Sequence, residues 1–154
     1  MHNCRSLIHQ QRFFLQGSKL SPMRLPLNKM VSASGDLKSP GIFVLFTANV
    51  GSPNFVGRAE ASLFEALMAY RTHPSYKYYK VLPCKTRAEA YMWECIYWHS
   101  SGETLDNGVA KGGKHPEPPA GLTNPCPVPG CTHEPHFRPL PESHNYSAGG
   151  GVSY

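Results

Sequence analysis

The chain has 154 residues, with 15 prolines, 14 glycines and only 40% hydrophobic residues. That suits one small domain and excludes a large buried core. The formal net charge of +5 divides into +5 over residues 1–40, +2 over 41–100 and −2 over 101–154, so a basic arm precedes a nearly balanced middle. Such an arm fits either a phosphate-backbone partner or a solvated extension.

Residues 1–40 lack the apolar segment of a secretory signal, and no run anywhere approaches the ~18 apolar residues of a membrane span. Their Arg, Lys and Ser content with a single acid, Asp36, is faintly that of an organelle transit peptide. The reading preferred on composition is a disordered basic extension, with Met23 or Met30 as alternative starts. Five cysteines, an odd number without an export signal, argue against a disulfide framework and for a reducing, cytoplasmic setting with no membrane partner.

Organisation begins at "GIFVLFTANVGSPNFVG", residues 41–57. Residues 41–47 are β-branched and aromatic without polar interruption, as in a strand covered on both faces. Asn49, Gly51, Ser52, Pro53 and Asn54 supply turn chemistry, and residues 54–57 read as the hairpin partner. From Ala59 the period changes: Leu63, Leu67 and Tyr70 mark one side of a helix that runs to about Arg71 and stops before Pro74. Residues 78–84 return to strand character. Thr86, with Glu89 three positions on, forms a capping box for a helix to about Ser100.

The expected class is therefore α+β: a small three-stranded antiparallel sheet flanked by helices in the order β-β-α-β-α. The domain is expected over 41–107, between the extension at 1–40 and a Pro/Gly-rich tail at 108–154 that would wrap the core or float. Within the second helix Glu94 lies among Ala90, Tyr91, Tyr97 and Trp98. A carboxylate in apolar company must gain a cation, a hydrogen bond or a raised pKa, so it is either an acid at the helix edge paired with a nearby Lys or Tyr hydroxyl or a metal ligand facing a cleft. In the tail Cys126, Cys131, His133 and His136 follow a C-x4-C-x-H-x2-H spacing, with His115 or His99 available to complete a set. A structural zinc site at 126–136 and a solvated tail with free thiols are both compatible with it. Cys84 and Cys95 read as small apolar residues.

Gly41-Ile42-Phe43, eleven intervening residues, then Phe55-Val56-Gly57 resembles the paired signature of the GIY-YIG nuclease superfamily. The following helix, third strand and Glu94-bearing helix keep that family's order, and Asn107 stands where such domains often carry asparagine. "FVGR", "YKVLPCKTRAEAYMWEC" and the "HP…CP" tail are similar to a small group of prokaryotic GIY-YIG-like domains. The resemblance spans about 41–107 and extends weakly to 131. It implies DNA phosphodiester hydrolysis with Mg or Mn, Glu94 as the metal ligand, and two motif tyrosines and a helix arginine handling protons and phosphate charge.

Here Phe43 and Phe55 fill both tyrosine positions. Ala66 stands near the arginine position, and Tyr70 replaces a frequent histidine. Arg58, directly after the second motif, fits the prokaryotic group. Loss of a general base lowers rates by about 10²–10⁴ and loss of a charge-stabilising donor by about 10²–10³, so the resemblance implies an impaired nuclease. Hydroxyls of Tyr70, Tyr78, Tyr79 or Tyr91 and the guanidinium of Arg58 or Arg71 are the available substitutes. The alternatives are an inactive nucleic-acid binder using Arg58, Lys77, Lys80, Lys85 and Arg87, or a zinc-stabilised protein-interaction module.

Overall fold

A computed structural model of the chain describes residues 23–30 and 35–131. Strands β1 (Leu25–Pro26), β2 (Gly41–Phe46) and β3 (Phe55–Ala59) are followed by helix α1 (Leu63–Met68), strand β4 (Tyr78–Pro83) and helix α2 (Arg87–Ser101). All strand pairs are antiparallel and the order across the sheet is β1-β4-β2-β3. The α+β class and the β-β-α-β-α order of the main elements agree with expectation; the sheet has four strands, not three.

The added strand pairs Leu25 with Tyr79 and Pro26 with Tyr78. Two residues, one of them proline, carry no period-2 pattern, and proline at an edge removes a donor without breaking a ladder. Three buried residues come from the same segment, expected to lie outside the core: Leu27, Met30 and Leu37. Helix α1 is shorter than the apolar spacing suggested because β3 extends through Ala59 and Ser62 caps the helix, its side chain accepting from Glu65 N. The capping box of α2 forms at its expected place. Thr86 Oγ1 accepts from Glu89 N at 3.1 Å, and Glu89 Oε2 accepts from Lys85 N at 2.9 Å, one residue before the cap.

β2 is buried along its whole length, because the sheet is covered on both faces. Phe43 and Leu45 point to the side of α1, joining Leu63, Leu67, Tyr79 and Val81 with Leu27 and Leu37. Ile42, Val44 and Phe46 point to the side of α2, where Trp98, Ala90, Leu82 and Leu105 pack against them. Alternation along β3 follows the same rule: Val56 joins the α2-side core, and Phe55 packs against the α1-side one.

After α2 the chain doubles back over the α2 side, burying Leu105, His115 and Pro119. Asn107 fastens this return to the outer edge of β3. Its Nδ2 donates to Val56 O at 2.7 Å, its Oδ1 accepts from Val56 N at 3.4 Å, and its carbonyl accepts from Trp98 Nε1 at 3.0 Å. One side chain thus satisfies both backbone groups of Val56, which an uncovered edge strand would leave open.

The two motif glycines have a packing reason. A Cβ on Gly57 would lie 2.5 Å from Phe43 Cζ and 2.8 Å from Phe55 Cε1, and one on Gly41 would lie 2.4 Å from Leu82 O and 2.8 Å from Leu63 Cδ1. Phe43 pairs directly across from Gly57 in the ladder, so its ring occupies the space a side chain would take. Gly41→Ala and Gly57→Ala are expected to lose about 1–3 kcal/mol of stability through overpacking. Gly35→Ala, where nothing lies within 4 Å, should leave the urea midpoint unchanged or slightly raised; equal midpoints for all three variants would contradict this packing.

Candidate metal centre

The residues singled out as catalytic occupy both sides of the sheet. Arg58 and Glu94 meet on the α2 side: Arg58 Nη1 donates to Glu94 Oε2 at 2.7 Å, and both side chains are 13% exposed. The same guanidinium donates from Nη2 to Glu60 Oε1 at 3.0 Å and from Nη1 to Glu117 O at 3.0 Å, and its centre lies 5.4 Å from the Tyr91 ring centroid. Arg58 therefore joins β3, α2 and the returning chain. The Glu94 carboxyl is pushed up to about 7 by burial and by neighbouring Glu60, against the pull of Arg58 and of His115.

Phe43 and Phe55 lie on the α1 side, stacked at 6.1 Å between centroids, with Tyr70 tilted against both at 5.6 and 5.3 Å. Tyr76 and His73 extend the group, their rings 4.4 Å apart. These are tightly packed aromatic contacts, and burial raises the Tyr70 hydroxyl above its ordinary pKa. The sheet thus lies between Glu94 and the two phenylalanines.

The basic set is divided as well. Arg58 is internal, Lys80 is half-buried within β4, Lys77 is exposed before the start of β4, and Lys85 and Arg87 are exposed beyond its end. Six strand residues at about 3.3 Å each separate Lys77 from the latter two.

A four-residue group gathers at the C-terminal end of α2. His99 comes from the last turn of the helix, His115 from the returning chain, and Cys126 and Cys131 from the segment that follows. One ligand atom from each lies within 4.8 Å of all the others, so the group could hold a metal ion such as zinc. His99 Nε2 lies 3.2 Å from His115 Nε2 and 3.6 Å from Cys126 Sγ. Tetrahedral zinc with bonds of about 2.0–2.1 Å to nitrogen and 2.3 Å to sulfur has ligand–ligand edges of roughly 3.3–3.8 Å, which matches these separations.

The surroundings prepare the ligands. The His115 Nδ1–H faces Pro116 O at 2.7 Å, leaving Nε2 as the electron-pair donor, the arrangement that orients metal-binding histidines. A hydrogen bond from the buried Cys95 thiol holds Cys126 well below the usual thiol range, with His115 and His99 acting in the same direction; Cys95 itself is pushed up. A thiolate is the form that ligates metal. Cys95 is thus a supporting donor beside the group, besides being a small core residue.

The two cysteines stand out in the sequence, with His99 and His115 available to complete a set. The structure joins these into a spacing of H-x15-H-x10-C-x4-C. His133 and His136 lie outside the described residues. The long return loop between α2 and Cys126 hid this set, since ligands so far apart in sequence carry no local spacing signal. No helix among the described residues is long and apolar enough to cross a membrane. No protein-family model matches the chain, and neither any curated protein nor any solved structure does.

Because the folded Glu94 carboxyl titrates higher than its unfolded counterpart, the folded state holds the extra proton between the two pKa values. Its contribution is then fully present below about 4.5 and is lost as pH rises through about 7. The stability of the wild type relative to Glu94→Gln is expected to decline across that window, by at most on the order of 3 kcal/mol. Urea melts of both proteins at intervals from pH 4.5 to 8 measure it, and a difference that stays flat or grows with pH would remove the assigned cause.

Proposed function

We propose that this chain is a zinc-stabilised binding module on a GIY-YIG-like sheet, acting by association and not by phosphodiester hydrolysis. The observation that carries the reading is the convergence of His99, His115, Cys126 and Cys131. Thiolate and imidazole together suit zinc, and four protein ligands close the tetrahedron, as in structural sites. A core this small gains from a metal cross-link, because metal binding then contributes directly to folding.

The hydrolytic reading has less support. Both motif-tyrosine positions are phenylalanines locked in ring contacts, Glu94 is engaged by Arg58, and the sheet lies between them. A divalent ion at Glu94 would have to displace a 2.7 Å charge-assisted hydrogen bond. The GIY-YIG resemblance then describes shared architecture, with the glycines kept for packing and the proton-handling groups gone.

Protein purified without a histidine tag should contain one zinc per chain by elemental analysis. His115→Ala and Cys126→Ser should each abolish stoichiometric zinc, and a chelator should lower the melting temperature of the wild type only. Supercoiled plasmid incubated with Mn²⁺ or Mg²⁺ should be nicked no faster by wild type than by Glu94→Ala. Sub-stoichiometric zinc in the wild type, or nicking that disappears in Glu94→Ala, would overturn the proposal.

A further inference from the structure

A cleft of about 510 Å³ opens between the turn after β1 and the loop joining α1 to β4. Leu27 and Tyr76 are its buried lining residues, and Lys29, Arg71, His73 and Lys77 bring four basic side chains to it. No carboxylate lines it. Lys29, Arg71 and Lys77 are exposed and make no ion pair among the described residues, whereas Arg58 and Lys111 are both paired with acids. Asp106, which meets the lining residue Tyr76, accepts from its hydroxyl at 2.9 Å and from Lys111 Nζ at 2.6 Å. Its charge is already engaged.

The walls are tied to the sheet. Leu27 N donates to Lys77 O at 2.9 Å and Lys77 N to Phe46 O at 2.9 Å, while Arg71 N and His73 N close successive turns onto Met68 O and Tyr70 O. The His73 ring accepts from Ser75 N through Nδ1 at 3.2 Å, which leaves Nε2 as its other polar atom. The cations are therefore carried on a fixed backbone. Holding like charges around one concavity is unfavourable unless an anion answers them, and a concave cationic site focuses the field on such a ligand. The volume lies within the 300–1,000 Å³ range of small-molecule sites.

We infer that this cleft binds a ligand bearing a di- or triphosphate group, with Lys29, Arg71 and Lys77 contacting the phosphates. It shares no residue with the metal group, so its failure would leave the zinc reading standing. Multiple phosphates answer several cations at once, and arginine offers them a planar pair of donors.

The test uses the full-length, zinc-loaded protein, titrated by calorimetry with ATP and separately with inorganic pyrophosphate. Lys29→Gln/Arg71→Gln/Lys77→Gln should weaken binding about tenfold or more, since one lost charge-assisted hydrogen bond already corresponds to about that factor. Lys85→Gln/Arg87→Gln, with the same kind of change at the other end of β4, should bind as wild type. ATP binding more tightly than pyrophosphate would identify a nucleotide, and equal affinity would identify the polyphosphate alone; both support the site. Absence of binding by both ligands at 10 mM, equal loss in the two sets of variants, or an oligothymidylate that binds and is not displaced by either ligand would overturn it. Circular dichroism of the triple variant guards against misfolding. If that variant unfolds, amide shifts of the wild type on ATP addition must map to 26–29 and 71–78, and shifts elsewhere would overturn the inference.

Discussion

The ion pair between Arg58 and Glu94 is the constraint around which this molecule is arranged. A guanidinium projecting from an edge strand toward an aromatic-rich helix would be unfavourable to bury alone, and so would the carboxylate opposite it. Together they compensate one another, and the guanidinium also reaches Glu60 through Nη2 and the carbonyl of Glu117 through Nη1, while its buried Nε has no hydrogen-bond partner. The contact with Glu117 matters most for architecture. It fixes the returning chain against α2, and that same return delivers His115 beside His99. A polar contact in the interior of the fold therefore helps to place the half-buried His/Cys group at the end of α2.

The two sides of the sheet have different chemistry for a simple reason. Successive residues of β2 and β3 point to opposite faces, so Gly57 and Arg58, adjacent in sequence, serve unrelated purposes. Gly57 yields its space to the Phe43 and Phe55 rings on the α1 side, and Arg58 enters the polar centre on the other. What looks like one motif in the sequence is two structural devices.

What could be read from the sequence was composition and capping. The hairpin was legible from an unbroken β-branched and aromatic run followed by turn residues, β4 from the same residue types, and α2 from Thr86 with Glu89, a helix start that the structure reproduces. β1 was not, since two residues including a proline contain no pattern; nor was the burial of Leu27 and Leu37, isolated apolar residues in a basic stretch. Glu94 stands out in the sequence as a carboxylate needing a partner, but strand-to-helix pairing over 36 positions cannot be deduced from spacing. The metal group was half visible: its cysteines are close in sequence, while His99 and His115 become their neighbours only through the return loop.

The order in which the ligands occur along the chain has a consequence for biosynthesis. Sheet and helices are encoded by Ser101, whereas the fourth ligand is residue 131. A nascent polypeptide emerging N-terminus first can assemble the β-ribbon and both helices while its metal-binding set is still incomplete. Uptake of the proposed metal would then be the final step of maturation, and chains that stop short of Cys131 would lack one of the four candidate ligands.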